Sequence, residues 1–484
     1  MKKQTRTISG VTPLAVMTAP SVCPGKCVYC PTFADTPQSY TPQSPAVLRG
    51  ASRSYDAYEQ VKLRLQILGE TLGHPTEKVE LILMGGTFLN TPHEYQERFI
   101  KGCLDGLNNT ISVSLEEAQK VNETTQNRCV GMCFETRPDV CSLQDISRMV
   151  RFGATRVELG VQLPCDNVYK LVQRGHTVED VKIATRLLKE AGLKVHYHFM
   201  PGLPGSSVEK DLRLMQELFS NSDFCPDGLK IYPLMVVEGT ELEKWWHEGK
   251  YTPYDNEVML RLIGDLKALV PKYVRISRVL RDIPPQYIKA GIKDSLRQNV
   301  LKVMCNQGKQ CQCIRCREVG HRLSKGSKIG HPILSKLEYN ASNGQEIFLS
   351  YEDENDTLFG LLRLRLQDNP VWSLFNPQTP ILSDADTGYL VRDLQKAKVA
   401  LIRELHVFGM ELGVGLKTDD GAQHKGYGKA LVFEAEHIAK QNGFTYMAIL
   451  SGIGAREYYR ALGYRLVNGY MIKTLIYYAH TTAL

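Results

Sequence analysis

A chain of 484 residues is too long to be organised round one hydrophobic core, so two or three domains are expected. With 43% hydrophobic and 23% charged residues, no apolar run of about 18 residues, and an apolar start (Met1–Val22) broken by Pro13 and Pro20, the composition speaks against a membrane span and a secretory leader. Thirteen cysteines, an odd number, favour a reducing, cytoplasmic setting and metal ligation over a disulfide framework.

In chain order, the first signal is a loop, Cys23-Pro-Gly-Lys-Cys27-Val-Tyr-Cys30, followed by a Pro-rich stretch at Thr36–Pro45. From about residue 60 to 280, short apolar runs alternate with helical periodicity. The runs are Val79–Met84, Gly131–Phe134, Arg156–Val161, Val195–Met200 and Gly228–Leu234. Val178–Ala191 carries apolar residues at helical spacing, with Gly192 placed as a C-terminal cap. Such βα units in series predict an α/β fold, a partial TIM-like barrel over 1–290. Cys103, Cys129, Cys133, Cys141, Cys165 and Cys225 read as small buried hydrophobes.

Residues 291–332 form a basic, Cys-rich linker or small subdomain. Lys272 to Lys328 hold 14 basic residues against 3 acidic ones, so the remainder of the chain is net acidic. A polyanion partner is expected there, with Arg275, Arg278, Arg281, Lys289, Lys293, Arg315, Arg317 and Arg322 as nucleic-acid contacts. From 333 to 484 the pattern changes to an α+β unit. Strands are expected at Gln345–Tyr351, Leu358–Leu366, Ala400–Phe408 and Tyr446–Leu450, and helices at Gly428–Lys440 and Ala455–Ala461.

Three thiolates on one tight loop can hold three irons of a [4Fe–4S] cube and leave the fourth open, as a catalytic cluster requires. The CxxxCxxC of Cys23, Cys27 and Cys30, with Tyr29 before the last cysteine, resembles the radical S-adenosylmethionine (SAM) superfamily. The resemblance implies SAM on the open iron, with Gly85, Gly86 and Thr87 after an apolar strand against its amino group. Glu135 and Arg137 follow a later strand and are expected to face the cofactor. Cys311, Cys313 and Cys316 suit a structural zinc, preferred over a second cluster. Cys305, His321 and His331 stand open as fourth ligand.

Gln423-His-Lys-Gly426-Tyr427-Gly428-Lys429 opens an amphipathic helix, so its backbone N–H groups and helix dipole make an anion site. The pattern resembles the GNAT acetyltransferases, which implies the pyrophosphate of acetyl-CoA there. It also implies a pantetheine arm along Glu404, Leu405, His406 and Val407, and Tyr458 or Tyr459 near the thioester sulfur. Glu404 and His406 are candidates for a base. Read end to end, the motifs CVYC, KVELILMGGTF, CFETRPD, HTVEDV, MPGLPG, RELHVFG, QHKGYGKALVFEAEHIA and SGIGAREYYRALGY resemble the Elongator catalytic-subunit family. That resemblance implies a tRNA-modifying enzyme of stand-alone, prokaryotic form, able to pair as a homodimer. It would use radical chemistry on acetyl-CoA to install a carboxymethyl group at C5 of the wobble uridine in the anticodon loop. It adds Lys78 and Tyr459 as acetyl-CoA contacts. The rival reading is a protein lysine acetyltransferase with a structural iron–sulfur domain.

Overall fold

The computed structural model describes residues 7–8, 10–292, 296–368, 383–385, 394, 397–408 and 426–475. Gln423 and Lys293, both expected site residues, lie outside them. The first half forms one seven-stranded, fully parallel sheet. Its strands are β1 (Thr12–Met17), β2 (Lys78–Met84), β3 (Arg128–Thr136), β4 (Arg156–Gln162), β5 (Lys194–Phe199), β6 (Gly228–Ile231) and, after the short β7 (Val236–Val237), β8 (Arg275–Val279). They neighbour one another in chain order. β9 (Ile288–Ala290) pairs antiparallel with β7 beyond the sheet.

Parallel strands need crossovers, and the chain supplies helices α1 (Ala57–Gln66), α2 (His93–Asn108), α3 (Leu143–Phe152), α4 (Val178–Glu190), α5 (Val208–Ser220) and α6 (Asn256–Ala268). α4 starts on a capping box between Thr177 and Asp180, which explains the HTVED motif, and stops at Gly192 (φ +82°). Val79, Leu81 and Leu83 of β2, Phe134 of β3, Val157 and Leu159 of β4 and Val195 and Tyr197 of β5 share the apolar face. The opposite face alternates with it and carries Glu80, Cys133, Glu135, Arg156, Glu158, His196, His198 and Lys230. The run Arg156–Val161, expected as apolar, therefore lines the barrel with the charges of Arg156 and Glu158.

The second sheet has the order β10-β11-β12-β13-β14-β16-β15. Its strands are β10 (Ile333–Ala341), β11 (Gly344–Glu352), β12 (Leu358–Leu366), β13 (Val399–Val407), β14 (Tyr446–Ile449), β15 (Arg465–Val467) and β16 (Tyr470–Thr474). All pairs are antiparallel except β13 with β14. One face, with Leu362, Leu364, Ile402 and Met447, packs on the helix Tyr427–Gln441. The other, with Phe348, Leu361, Leu401 and Tyr470, joins the core of the first half. Burial on both faces is why every residue of β12 is buried.

The two halves are welded by buried charge. Arg403 donates to both oxygens of Asp227 at 2.8 and 2.7 Å and to Glu346 at 2.8 Å, and Arg365 donates to Glu346 at 2.9 Å. Asp227, Leu193, Tyr273 and Val130 all precede or open strands of the first sheet. The second sheet thus sits at the N-terminal ends of the barrel strands, and the cysteine loop belongs to the C-terminal ends. Residues 296–323 are packed rather than loose. α7 (Leu296–Asn306) lies on α6, and Ile314 donates its N–H to Val274. Among the described residues no helix is long and apolar enough to cross a membrane.

Candidate functional site

At the C-terminal mouth of the barrel, Cys23, Cys27 and Cys30 are half-buried thiols, and all 13 cysteines are free of disulfides. Gln38 donates to Cys30 Sγ at 3.3 Å, Arg174 donates to Cys27 Sγ at 3.3 Å, and Thr87 lies 3.9 Å from Cys23. Burial pushes the Cys30 thiol up, partly offset by the Gln38 hydrogen bond. Tyr29 is buried beneath the loop. Arg137 pairs with Asp139 at 2.8 Å and reaches the Arg174 carbonyl. Its Nη1 points at Gly25, where a Cβ would stand 2.1 Å away, and has no partner among the described residues.

Gly85 (φ +132°) and Gly86 (φ +90°) turn the chain at the end of β2. A side chain at Gly85 would strike Thr18 Oγ1 at 1.9 Å, so glycine is required there. Thr18 Oγ1 is likewise buried without a partner among the described residues. Buried donors left over beside three thiols are costly unless a further group satisfies them. The residues present fit a thiolate-ligated cluster with a polar ligand on its open side.

Inside the barrel, Tyr40 donates to Glu135 at 3.2 Å and Lys230 binds Glu135 at 3.0 Å. Lys230 also pairs with Glu158, and His198 Nε2 stands 3.0 Å from Glu158. Burial alone would raise the Glu158 carboxyl, but Lys230, His198 and Arg156 hold it well below the usual range. Glu135, Glu158 and His198 are close enough for one cation, and the Lys230 ammonium takes that place. Sequence reasoning missed Arg174, Gln38, Glu158, His198 and Lys230. Polar residues at period two within β4 were the available signal.

At the other end, β13 and β14 pair only from Val399 to Ile402, after which β13 runs on to Val407 while β14 stops at Ile449. The strands therefore splay into a cleft. Gly426 (φ +80°) caps the helix Tyr427–Gln441 without a side chain and leaves its first N–H groups open. Val407 approaches Gly428, and the Tyr458 hydroxyl would lie 3.1 Å from a Cβ there. Tyr458 is thus the tyrosine at the cleft, 42% exposed, whereas Tyr459 is packed in the core. His406 stacks on Phe408, Leu405 is half-buried, and Lys429 lies over Phe433. Lys78 opens β2 beside Arg128, on the side facing the second sheet. Arg363 donates to Glu404, a candidate base, at 2.7 Å, and Lys194 lies at 3.5 Å. Despite burial, these cations hold its carboxyl well below the usual range.

The sulfurs of Cys311, Cys313 and Cys316 converge within 4.8 Å. The Cys311 thiol donates to Cys313 and Cys316, and these hydrogen bonds, with burial, push its pKa far up, so the triad resists ionisation unless a cation compensates. Cys305 is exposed, and His321 lies 3.4 Å from Glu318. The expected RNA contacts fare unevenly. Arg317 is 1% exposed and bound to Gln312, Lys272 and Glu352, so it cannot meet a phosphate. Arg275 pairs with Glu318, Arg278 with Asp282 and Lys289 with Glu238, and Arg281 clamps Ser39. Arg315 and Arg322 are half-buried, while Lys302, Lys325 and Lys328 are exposed.

Fold and site together define a radical SAM enzyme joined to a GNAT acyltransferase, which implies a [4Fe–4S] cluster, SAM and acetyl-CoA. The family comparisons agree. Residues 18–218 match the Radical SAM superfamily, 226–305 the Radical_SAM C-terminal domain and 329–464 the Acetyltransferase (GNAT) family. The chain is 60% identical to the tRNA uridine(34) acetyltransferase of Dehalococcoides mccartyi (strain CBDB1), over 98% of its own length and 100% of that protein. It is 38% identical to Elongator complex protein 3 of Homo sapiens, over 98% and 86%. The archaeal Methanocaldococcus infernus Elp3 with N-terminus deletion (1-46) superposes with a TM-score of 0.82 at 45% identity, covering 97% of this chain and 100% of that one. The chain belongs to the family of tRNA uridine(34) acetyltransferases and Elongator complex protein 3.

Proposed function

We propose that this protein modifies the wobble uridine of tRNA, taking a two-carbon unit from acetyl-CoA and leaving a carboxymethyl group on C5 of the base. The observation that carries this reading is the pairing, in one chain, of a three-cysteine loop flanked by unsatisfied buried donors with a splayed GNAT cleft. Ordinary acetyl transfer to an amine needs no cluster. A carbon–hydrogen bond as inert as that of the acetyl methyl does.

Cys23, Cys27 and Cys30 would hold the cluster, and Gly85, Gly86, Thr87, Thr18 and Arg137 would hold the polar end of SAM. When bound, this pair supplies the radical that abstracts hydrogen. Gln38 and Arg174 donate to two of the thiolates and orient the loop. Tyr40, Glu135, Lys230, Glu158 and His198 form a polar, partly dehydrated wall for a flipped base, whose edges need hydrogen-bond partners. The N–H groups at Gly426–Gly428 would hold the pyrophosphate, and Tyr458 would face the thioester. The methyl carbon, having lost one hydrogen atom, bonds to C5; the C5 hydrogen then leaves as a proton and one electron leaves the base, which the cluster would take back, and water cleaves the thioester and releases CoA. Cys311, Cys313 and Cys316 would hold a structural zinc. The exposed Lys302, Lys325 and Lys328 replace the buried arginines as the phosphate-binding surface.

The test is anaerobic incubation of the reconstituted protein with SAM, acetyl-CoA and tRNA, followed by nucleoside mass spectrometry. A carboxymethylated wobble uridine is expected. Unmodified tRNA together with acetylated protein lysines would favour a lysine acetyltransferase instead.

A further inference from the structure

The helix Arg456–Arg460, which carries Tyr458 to the GNAT cleft, is fastened to the other domain. Glu123 follows the helix Leu115–Asn122 of the radical SAM half, and its side chain is 1% exposed. Arg456 Nη1 donates to one of its oxygens at 3.1 Å, and Arg460 Nη1 donates to the other at 2.7 Å. These arginines flank Tyr458 on both sides. Arg460 reaches on to Asp384 at 2.8 Å, and Asp384 accepts the N–H of Leu466 at the start of the final hairpin.

The segment leading into the helix is fitted just as closely. A Cβ at Gly452 would fall 2.1 Å from the Val130 carbonyl of β3, and one at Gly454 would fall 2.4 Å from Arg128. Ile453 packs on Gly153 of the same half. Backbone thus lies directly on backbone, and one carboxylate of the radical SAM half sets the azimuth of the tyrosine helix.

We infer that Glu123 is a positioning residue for the acetyl-CoA cleft, which is complete only when the two domains are docked. This rests on the reading of that cleft given above. It explains why the GNAT unit turns two glycines, Gly452 and Gly454, and two arginines, Arg456 and Arg460, to a neighbour rather than to solvent. It also makes acetyl-CoA handling sensitive to the radical SAM half without any contact between Glu123 and the ligand.

The test is calorimetric titration of acetyl-CoA into full-length protein, with reductive SAM cleavage as a second readout. Glu123→Gln should weaken acetyl-CoA binding about tenfold, because small displacements of a positioned group are costly, and should leave SAM cleavage within about twofold. Tyr470→Phe is the control. It removes another interdomain hydrogen bond, from the Tyr470 hydroxyl to the Ala191 carbonyl at 2.7 Å, without touching the tyrosine helix. It should bind acetyl-CoA as the unaltered protein does. Should Glu123→Gln not fold, Arg460→Lys serves in its place, with a smaller loss of the same kind. Wild-type affinity in Glu123→Gln, or equal losses in Glu123→Gln and Tyr470→Phe, would overturn the inference. Absence of acetyl-CoA binding by the unaltered protein would instead overturn the functional reading.

Discussion

The molecule carries two cysteine triads of the same size and opposite character. At Cys23, Cys27 and Cys30 the thiols are half-buried, two of them accept hydrogen bonds from Gln38 and Arg174, and unsatisfied donors of Arg137 and Thr18 stand nearby. At Cys311, Cys313 and Cys316 the sulfurs face one another within 4.8 Å, with Cys313 in the core. An open triad leaves room for a ligand besides the protein, and a closed one has the size to suit a single ion. The first triad spans eight residues and the second six, and the thiols differ also in what surrounds them.

The strongest way to break this comparison is Cys27→Ala. It should lower SAM cleavage by at least ~10³-fold, since a cube held by two cysteines is lost, while calorimetry still finds acetyl-CoA bound. Cys313→Ser should do the reverse. Loss of the ion from a closed site should cost on the order of 3 kcal/mol in denaturant unfolding and remove one zinc equivalent by elemental analysis, with the open cluster still assembling.

A gentler test uses acid. His176 packs on Tyr169 behind the open triad, and burial, with the charge of Arg174, outweighs Asp139 and lowers its pKa to about 4. A lowered histidine contributes stability that is present above its ordinary pKa and is lost as pH falls through the folded value. Unfolding at pH 7 and pH 5 should therefore differ by about 2 kcal/mol more in the unaltered protein than in His176→Gln. The smallest effect concerns the closed triad's surroundings. Lys325→Ala with Lys328→Ala should weaken all tRNAs alike and reduce the salt dependence of binding by roughly one phosphate contact per lysine.

Much of this was legible in the sequence. The CxxxCxxC loop and the GxG helix start are local patterns that suggest a cluster and an anion site from spacing, and the roles of these motifs and of the GGT turn toward SAM and acetyl-CoA came from the family resemblance. β1 (Thr12–Met17) was not legible, because Pro13 and its short length hide a strand that only pairing with β2 reveals. The barrel lining was hidden in runs such as Arg156–Gln162, where Arg156 and Glu158 alternate with valine and leucine. The charge of residues 272–328 suggested an RNA face but could not show that Arg275, Arg278 and Lys289 are spent on neighbours in the fold and that Arg317 is buried. Net charge counts side chains, and pairing depends on tertiary structure. The pairing of Glu404 with Arg363 and Lys194 was hidden for the same reason.

The claim on which the rest depends is that the radical from one domain acts on the acetyl group held by the other. Trideuterated acetyl-CoA, incubated anaerobically with SAM, tRNA and the reconstituted protein, tests it directly. The account predicts that 5′-deoxyadenosine carries deuterium and that the new C5 substituent keeps the remainder. Unlabelled 5′-deoxyadenosine beside a fully deuterated acetyl product would contradict it.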